Sequence, residues 1–157
     1  MRNLITSITL ALVFLGTSCT APVEKKVEEA AAPVPETQKS SNEMSQKVVE
    51  HHLNSFGAND LAAVMEDYND MSVIITPDST FRGNAQIKAF FEGLIPAFPT
   101  EGTNFVVDKM VVENELAYIV WHAETPAVIV PLGTDTYIIE NDIIVKQTFA
   151  GVINPVE

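Results

Sequence analysis

The chain has 157 residues, 46% of them hydrophobic, and carries nine Lys and Arg against 21 Asp and Glu, a formal net charge of −12. Such acidity argues against nucleic acid, whose phosphates need basic partners, and against docking on an anionic lipid surface. The single cysteine excludes an internal disulfide, and no HExxH, Walker-type loop, GxGxxG or Cys/His zinc spacing occurs.

Arg2 precedes an apolar run from Leu4 to Gly16. The run falls short of the ~20 residues that cross a bilayer, so it reads as a secretory signal. Gly16, Thr17 and Ser18 follow, then Cys19. Gly16 and Ser18 would also suit ordinary cleavage and plain secretion. An unpaired thiol is unusual in a secreted chain, and a lipid-bearing cysteine removes that anomaly. Residues 1–18 resemble a bacterial lipoprotein signal peptide cut before Cys19. The usual leucine three residues ahead of the cysteine is Gly16 here, with Leu15 one place further back. The resemblance implies a fatty acid such as palmitate on Cys19. It implies a place in the cell envelope, on the outer membrane or periplasmic face, with secretion as the outcome if Cys19 is not lipidated. Each buried methylene of such a chain contributes about 0.8 kcal/mol to anchoring.

Residues 19–44 are rich in Pro, Ala, Glu, Lys and Ser and contain no aromatic side chain. Such a stretch buries too little apolar area to offset its chain entropy, and reads as a disordered tether.

Residues 45–157 are long enough for one domain with a real core. Ser45 can cap a first helix with Val48, Val49, His52, Leu53 and Phe56 on one face. Gly57 ends it, and Asp60 can cap a short second helix carrying Leu61, Val64, Met65 and Tyr68. Met71 to Thr76 is β-branched and reads as a strand that Pro77-Asp78-Ser79-Thr80 ends. After Gly83, Asn84 can cap a third helix that buries Ile87, Phe90, Phe91 and Leu94, and Pro96 and Pro99 prevent its continuation. The remainder reads as strands at 104–112, 116–124, 127–130, 135–140 and 143–150. Turns fall at Glu113-Asn114-Glu115, Pro131-Leu132-Gly133-Thr134 and Asn141-Asp142, short enough for antiparallel hairpins. Helices first and strands afterwards make an α+β fold.

That order of elements resembles the NTF2-like superfamily, in particular its SnoaL-like and ketosteroid-isomerase-like members. Phe56-Gly57-Ala58-Asn59-Asp60-Leu61 is similar to the bend between the first two helices. Tyr68 to Val73 is similar to the approach to the first strand, and Phe81-Arg82-Gly83 with Ile87 to Phe91 to the start of the third helix. Asp135-Thr136-Tyr137 before the closing strand is also usual. The resemblance implies a cone: N-terminal helices packed on a strongly curved antiparallel sheet around one deep, mainly apolar pocket. It also implies a possible homodimer.

The isomerases among these proteins use a base aspartate on the first strand, and a tyrosine and a protonated aspartic acid that stabilise an oxyanion. Carried over by position, the base falls on Ile74, the tyrosine on His52 and the acid on Asp135. Isoleucine accepts no proton, so double-bond isomerisation in that geometry is not expected. His52 and Asp135 remain the candidate catalytic residues, as an imidazole–carboxylate pair able to move protons near neutral pH. A buried structural histidine and a strand-end aspartate are the competing readings.

Tyr68, Trp121, Tyr137 and Phe90 are the candidate pocket residues. Trp121 and His122 are strand neighbours and point to opposite faces. The Ala117-Ile119-Trp121-Ala123 face is wholly apolar, which favours Trp121 as the inward one. His51 and His52 diverge on their helix, so the histidines make no metal site by spacing, and no cofactor is expected. Glu66, Asp67, Asp70, Glu113 and Glu115 are expected to be solvated.

Three functions fit. The first is binding of a small, mainly apolar molecule without turnover, in a protein held to the membrane by its lipid. The second is an isomerase, cyclase or hydrolase using Asp135 with His52. The third is a partner-binding or structural module with a filled cavity.

Overall fold

The structure, a computed structural model, describes residues 36–156. The expected signal peptide, Cys19 and the first part of the expected tether lie outside the described residues. Three α-helices, α1 (Glu36–Gly57), α2 (Leu61–Glu66) and α3 (Gly83–Leu94), pack against six strands. The strands are β1 (Val73–Ile75), β2 (Thr80–Arg82), β3 (Asn104–Glu113), β4 (Leu116–Glu124), β5 (Val128–Glu140) and β6 (Ile143–Pro155). They form one curled sheet in the order β2-β1-β6-β5-β4-β3. This is the expected α+β cone with one difference: β1 runs parallel to β6, so the sheet is mixed.

Helix α1 starts inside the segment expected to be tether, ahead of Ser45. Ser45 is buried in it and donates through Oγ to the carbonyl of Asn114 at 2.7 Å. The Asn114 amide in turn donates to Asn42 Oδ1 at 2.7 Å. Asn114 stands at φ 55° in the β3–β4 turn, so the early turns of the helix are held by a turn far along the chain. Local composition carries no sign of such a contact. Asp60 caps α2 as expected, accepting from the Ala63 amide at 3.0 Å. Arg82, not Asn84, is the residue that caps α3, and its amide donates to Gln86 Oε1 at 2.9 Å. Asn141 and Asp142, both at positive φ, close the β5–β6 hairpin, as the two-residue turn predicts.

β4 alternates as its pattern predicts. Ala117, Ile119, Trp121 and Ala123 are buried, while His122 lies on the outer face against Asp108 at 2.8 Å. They join Val49, Val64, Ile74, Ile87, Tyr137 and Ile144 in the core between helices and sheet.

The expected turn at Pro131–Thr134 does not form. β5 runs through it as one long strand, with register shifts against β4 and β6 that accommodate Pro131. Gly133 serves packing instead. A Cβ there would lie 2.4 Å from Trp121 Cε2, so only glycine admits the indole. Phe105 and Phe149 both stack on that indole, with ring centroids at 4.8 and 6.0 Å.

Gly133→Ala is expected to displace Trp121 and cost about 1–3 kcal/mol by overpacking. Urea unfolding followed by circular dichroism checks this; an unchanged midpoint would mean that the indole has room to move.

Candidate functional site

The cone encloses a cavity of about 380 Å³. Each wall is set by the period of its element. His52, Leu53 and Phe56 reach it from α1, and Phe90, Phe91 and Leu94 from α3. Alternation brings Ile119 and Trp121 from β4, Asp135 and Tyr137 from β5, and Gln147, Phe149, Gly151 and Ile153 from β6. Phe98 and Phe105 complete the aromatic wall, and Thr76, Pro77 and Asp78 contribute from the β1–β2 turn.

A line of hydrogen bonds crosses the polar part of this wall. Asp67 is 5% exposed and follows α2 directly, where the chain folds back along α1. Its Oδ1 meets His51 Nδ1 at 2.7 Å and its Oδ2 meets His52 Nδ1 at 3.2 Å. His52 Nε2 faces the Tyr68 hydroxyl at 3.5 Å. That hydroxyl donates to Gln147 Oε1, and Gln147 Nε2 donates to Asp135 Oδ1 at 2.8 Å. Trp121 Nε1 donates to Asp135 Oδ2 at 2.7 Å. The glycine at 133 lets the indole lie where this last bond is possible.

Burial raises the Asp135 carboxyl above its ordinary value, while the bonds from Gln147 and Trp121 and the nearness of His52 oppose the rise. Tyr68 and Tyr137 are pushed well above the ordinary phenol value, first by burial and then by nearby carboxylates including Asp135. Both remain neutral hydroxyls at physiological pH.

The candidate residues are therefore brought together, though not in the expected pairing. His52 and Asp135 face one cavity, but the partner of His52 is Asp67, and Tyr68 and Gln147 stand between the two candidates. Trp121, Tyr137 and Phe90 line the cavity, and Tyr68 supports it from behind His52 and Gln147. Ile74 is fully buried. Asp67, expected on the solvated surface, is buried; the two histidines do diverge, yet its two oxygens reach both. The α1–α2 hairpin was the available signal for Asp67, since a residue at the end of α2 folds back beside His51 and His52. Gln147 was readable from strand alternation, which puts it in phase with Phe149.

Gln147→Leu would strip Asp135 and the Tyr68 hydroxyl of one partner each. A loss of about 1–3 kcal/mol is expected in urea unfolding. The buried carboxyl also gives stability a pH dependence. The folded state holds the Asp135 proton more tightly than the unfolded chain does. Its contribution is therefore fullest below the ordinary carboxylate range, about pH 4, and is lost as pH rises through the raised value. The stability difference between the wild type and Asp135→Asn should shift against the wild type over that rise. A pH-independent difference in urea midpoints would contradict the assignment.

A profile for the SnoaL-like domain matches residues 49–147. Comparison with curated proteins gives no match. Among solved structures, the chain is similar to an NTF2-like protein of unknown function from Cytophaga hutchinsonii ATCC 33406. That pair is 13% identical with a TM-score of 0.58, over 69% of this chain and 89% of that one. It is also similar to a protein from Kribbella flavida DSM 17836 provisionally described as a ketosteroid isomerase, with 10% identity and a TM-score of 0.60 over 71% of this chain and 80% of that one. A provisionally described SnoaL-like polyketide cyclase from Shewanella denitrificans OS-217 shares 16% identity and a TM-score of 0.55, over 69% and 90% of the two chains. The match over most of the helix-and-sheet domain, on a cone with an open pocket, places this chain in the SnoaL-like domain family.

Proposed function

We propose that the chain is a lipid-anchored protein of the bacterial cell envelope whose SnoaL-like domain binds a small, mainly apolar molecule without turning it over. The cavity carries this reading: about 380 Å³ of space, walled by aromatic side chains, with His52, Asp135 and Gln147 among its few polar groups. That combination of apolar lining and sparse polar contacts suits ligand binding. The cavity stays open although Phe90, Phe98 and Trp121 border it, which disfavours a module filled by its own side chains. The aliphatic Ile74 at the position of the isomerase base supports binding over turnover. The apolar run from Leu4 to Gly16, followed shortly by Cys19, supports the anchor.

One observation favours a second reading, acid–base catalysis. Asp67 holds His52 by Nδ1 and leaves Nε2 toward Tyr68, while Asp135 faces the same space. An isomerase, cyclase or hydrolase could use His52 and Asp135 to move a proton between two atoms of one substrate.

Organic extraction and mass spectrometry of the purified full chain test the first reading. A discrete small molecule is expected with the wild type and a loss of about tenfold with Leu53→Trp, which fills space in the cavity. An identical extract from both proteins would refute binding there. Cys19→Ser should move the chain from the membrane fraction to the soluble fraction of the producing bacterium. Recovery of a chemically altered product, dependent on His52 and Asp135, would favour the second reading.

A further inference from the structure

The charged side chains that line the cavity leave one requirement unmet. They are Asp135 and Asp78, with no lysine or arginine among them. Asp135 is 6% exposed, and its oxygens are held by two neutral donors, the Trp121 indole and the Gln147 amide. The nearest ionisable base, His52, is bonded through Nδ1 to a different carboxylate, Asp67. Buried carboxylates ordinarily have a cationic partner, because neutral donors only partly replace lost hydration. A carboxylate oxygen has two lone pairs, so each Asp135 oxygen can accept one further bond. The same cavity is walled by Phe91, Trp121, Tyr137 and Phe149, whose rings attract a cation as well as bury an apolar body.

We propose that the ligand is an organic cation: an amine on an apolar, ring-sized body, with its ammonium against Asp135. This rests on the reading of the cavity as a binding site and names the ligand's class. The ammonium donates to Asp135 and supplies the missing positive charge. Asp78, at the β1–β2 turn, adds negative potential on the way in. An anionic ligand would meet two carboxylates and no lysine or arginine.

The single tryptophan of the chain is Trp121, so its fluorescence reports on this site. The test titrates the full chain with naphthylmethylamine, its neutral counterpart naphthylmethanol, and naphthoate. The amine is expected to bind about tenfold or more tightly than the alcohol, and naphthoate most weakly. Asp135→Asn should bring amine and alcohol to similar affinity while the alcohol still binds, which also shows that the variant is folded. Should that variant not fold, the wild-type order of affinities decides, with the amine above the alcohol and the alcohol above naphthoate.

The ionisable groups near Asp135 are His52 from α1, Tyr68 from the segment after α2 and Tyr137 from β5, and Asp78 lines the same cavity. Only the part of any pH dependence that Asp135→Asn abolishes counts in support. Equal or tighter binding of the alcohol, or preferential binding of naphthoate, would overturn the cationic ligand and leave the binding site standing. No binding by any of the three would overturn both.

Discussion

Polar groups enclosed in an apolar cone must find partners inside it, and that constraint organises the domain. Asp67, His52, Tyr68, Gln147, Asp135 and Trp121 satisfy one another in a single line. The line draws members from α1, the segment after α2, β4, β5 and β6, so it ties the helical layer to the sheet through directional bonds. Hydrophobic burial alone would permit small slips of helix over sheet. A chain of buried hydrogen bonds does not, because breaking one leaves a donor or acceptor without its partner.

Small residues make this arrangement possible. Gly133 and Gly151 are paired across β5 and β6, and each leaves space for an aromatic ring, Trp121 over the first and Phe149 beside the second. The indole is thereby fixed edge-on to Asp135. Gly151 also lines the cavity and adds no side chain to it.

Much of the fold was legible because periodicity dominates it. The inward face of β4, the cap at Asp60, and the turns at Asn114 and Asn141-Asp142 follow from spacing and turn chemistry. The early start of α1 was not legible, since Asn42 and Ser45 gain their partners from a turn some seventy residues away in sequence. Gly133 misled for a related reason: a glycine that makes room for a ring and a glycine that makes a turn look alike in one sequence. Within the site, His52, Asp135, Trp121 and Tyr137 could be placed on inward faces by counting. Their pairing could not. It depends on how α2 lies against α1, which decides that Asp67, one acid among many, is the one that meets the histidines.

The position of His51 has a consequence for the cavity. Its ring is 44% exposed, yet it shares the Asp67 carboxylate with the enclosed ring of His52. One acid group with an imidazole on each side thus joins the outer surface to the cavity wall. A substitution at His51, on the outside, would therefore reach the ring that lines the pocket through the carboxylate the two share.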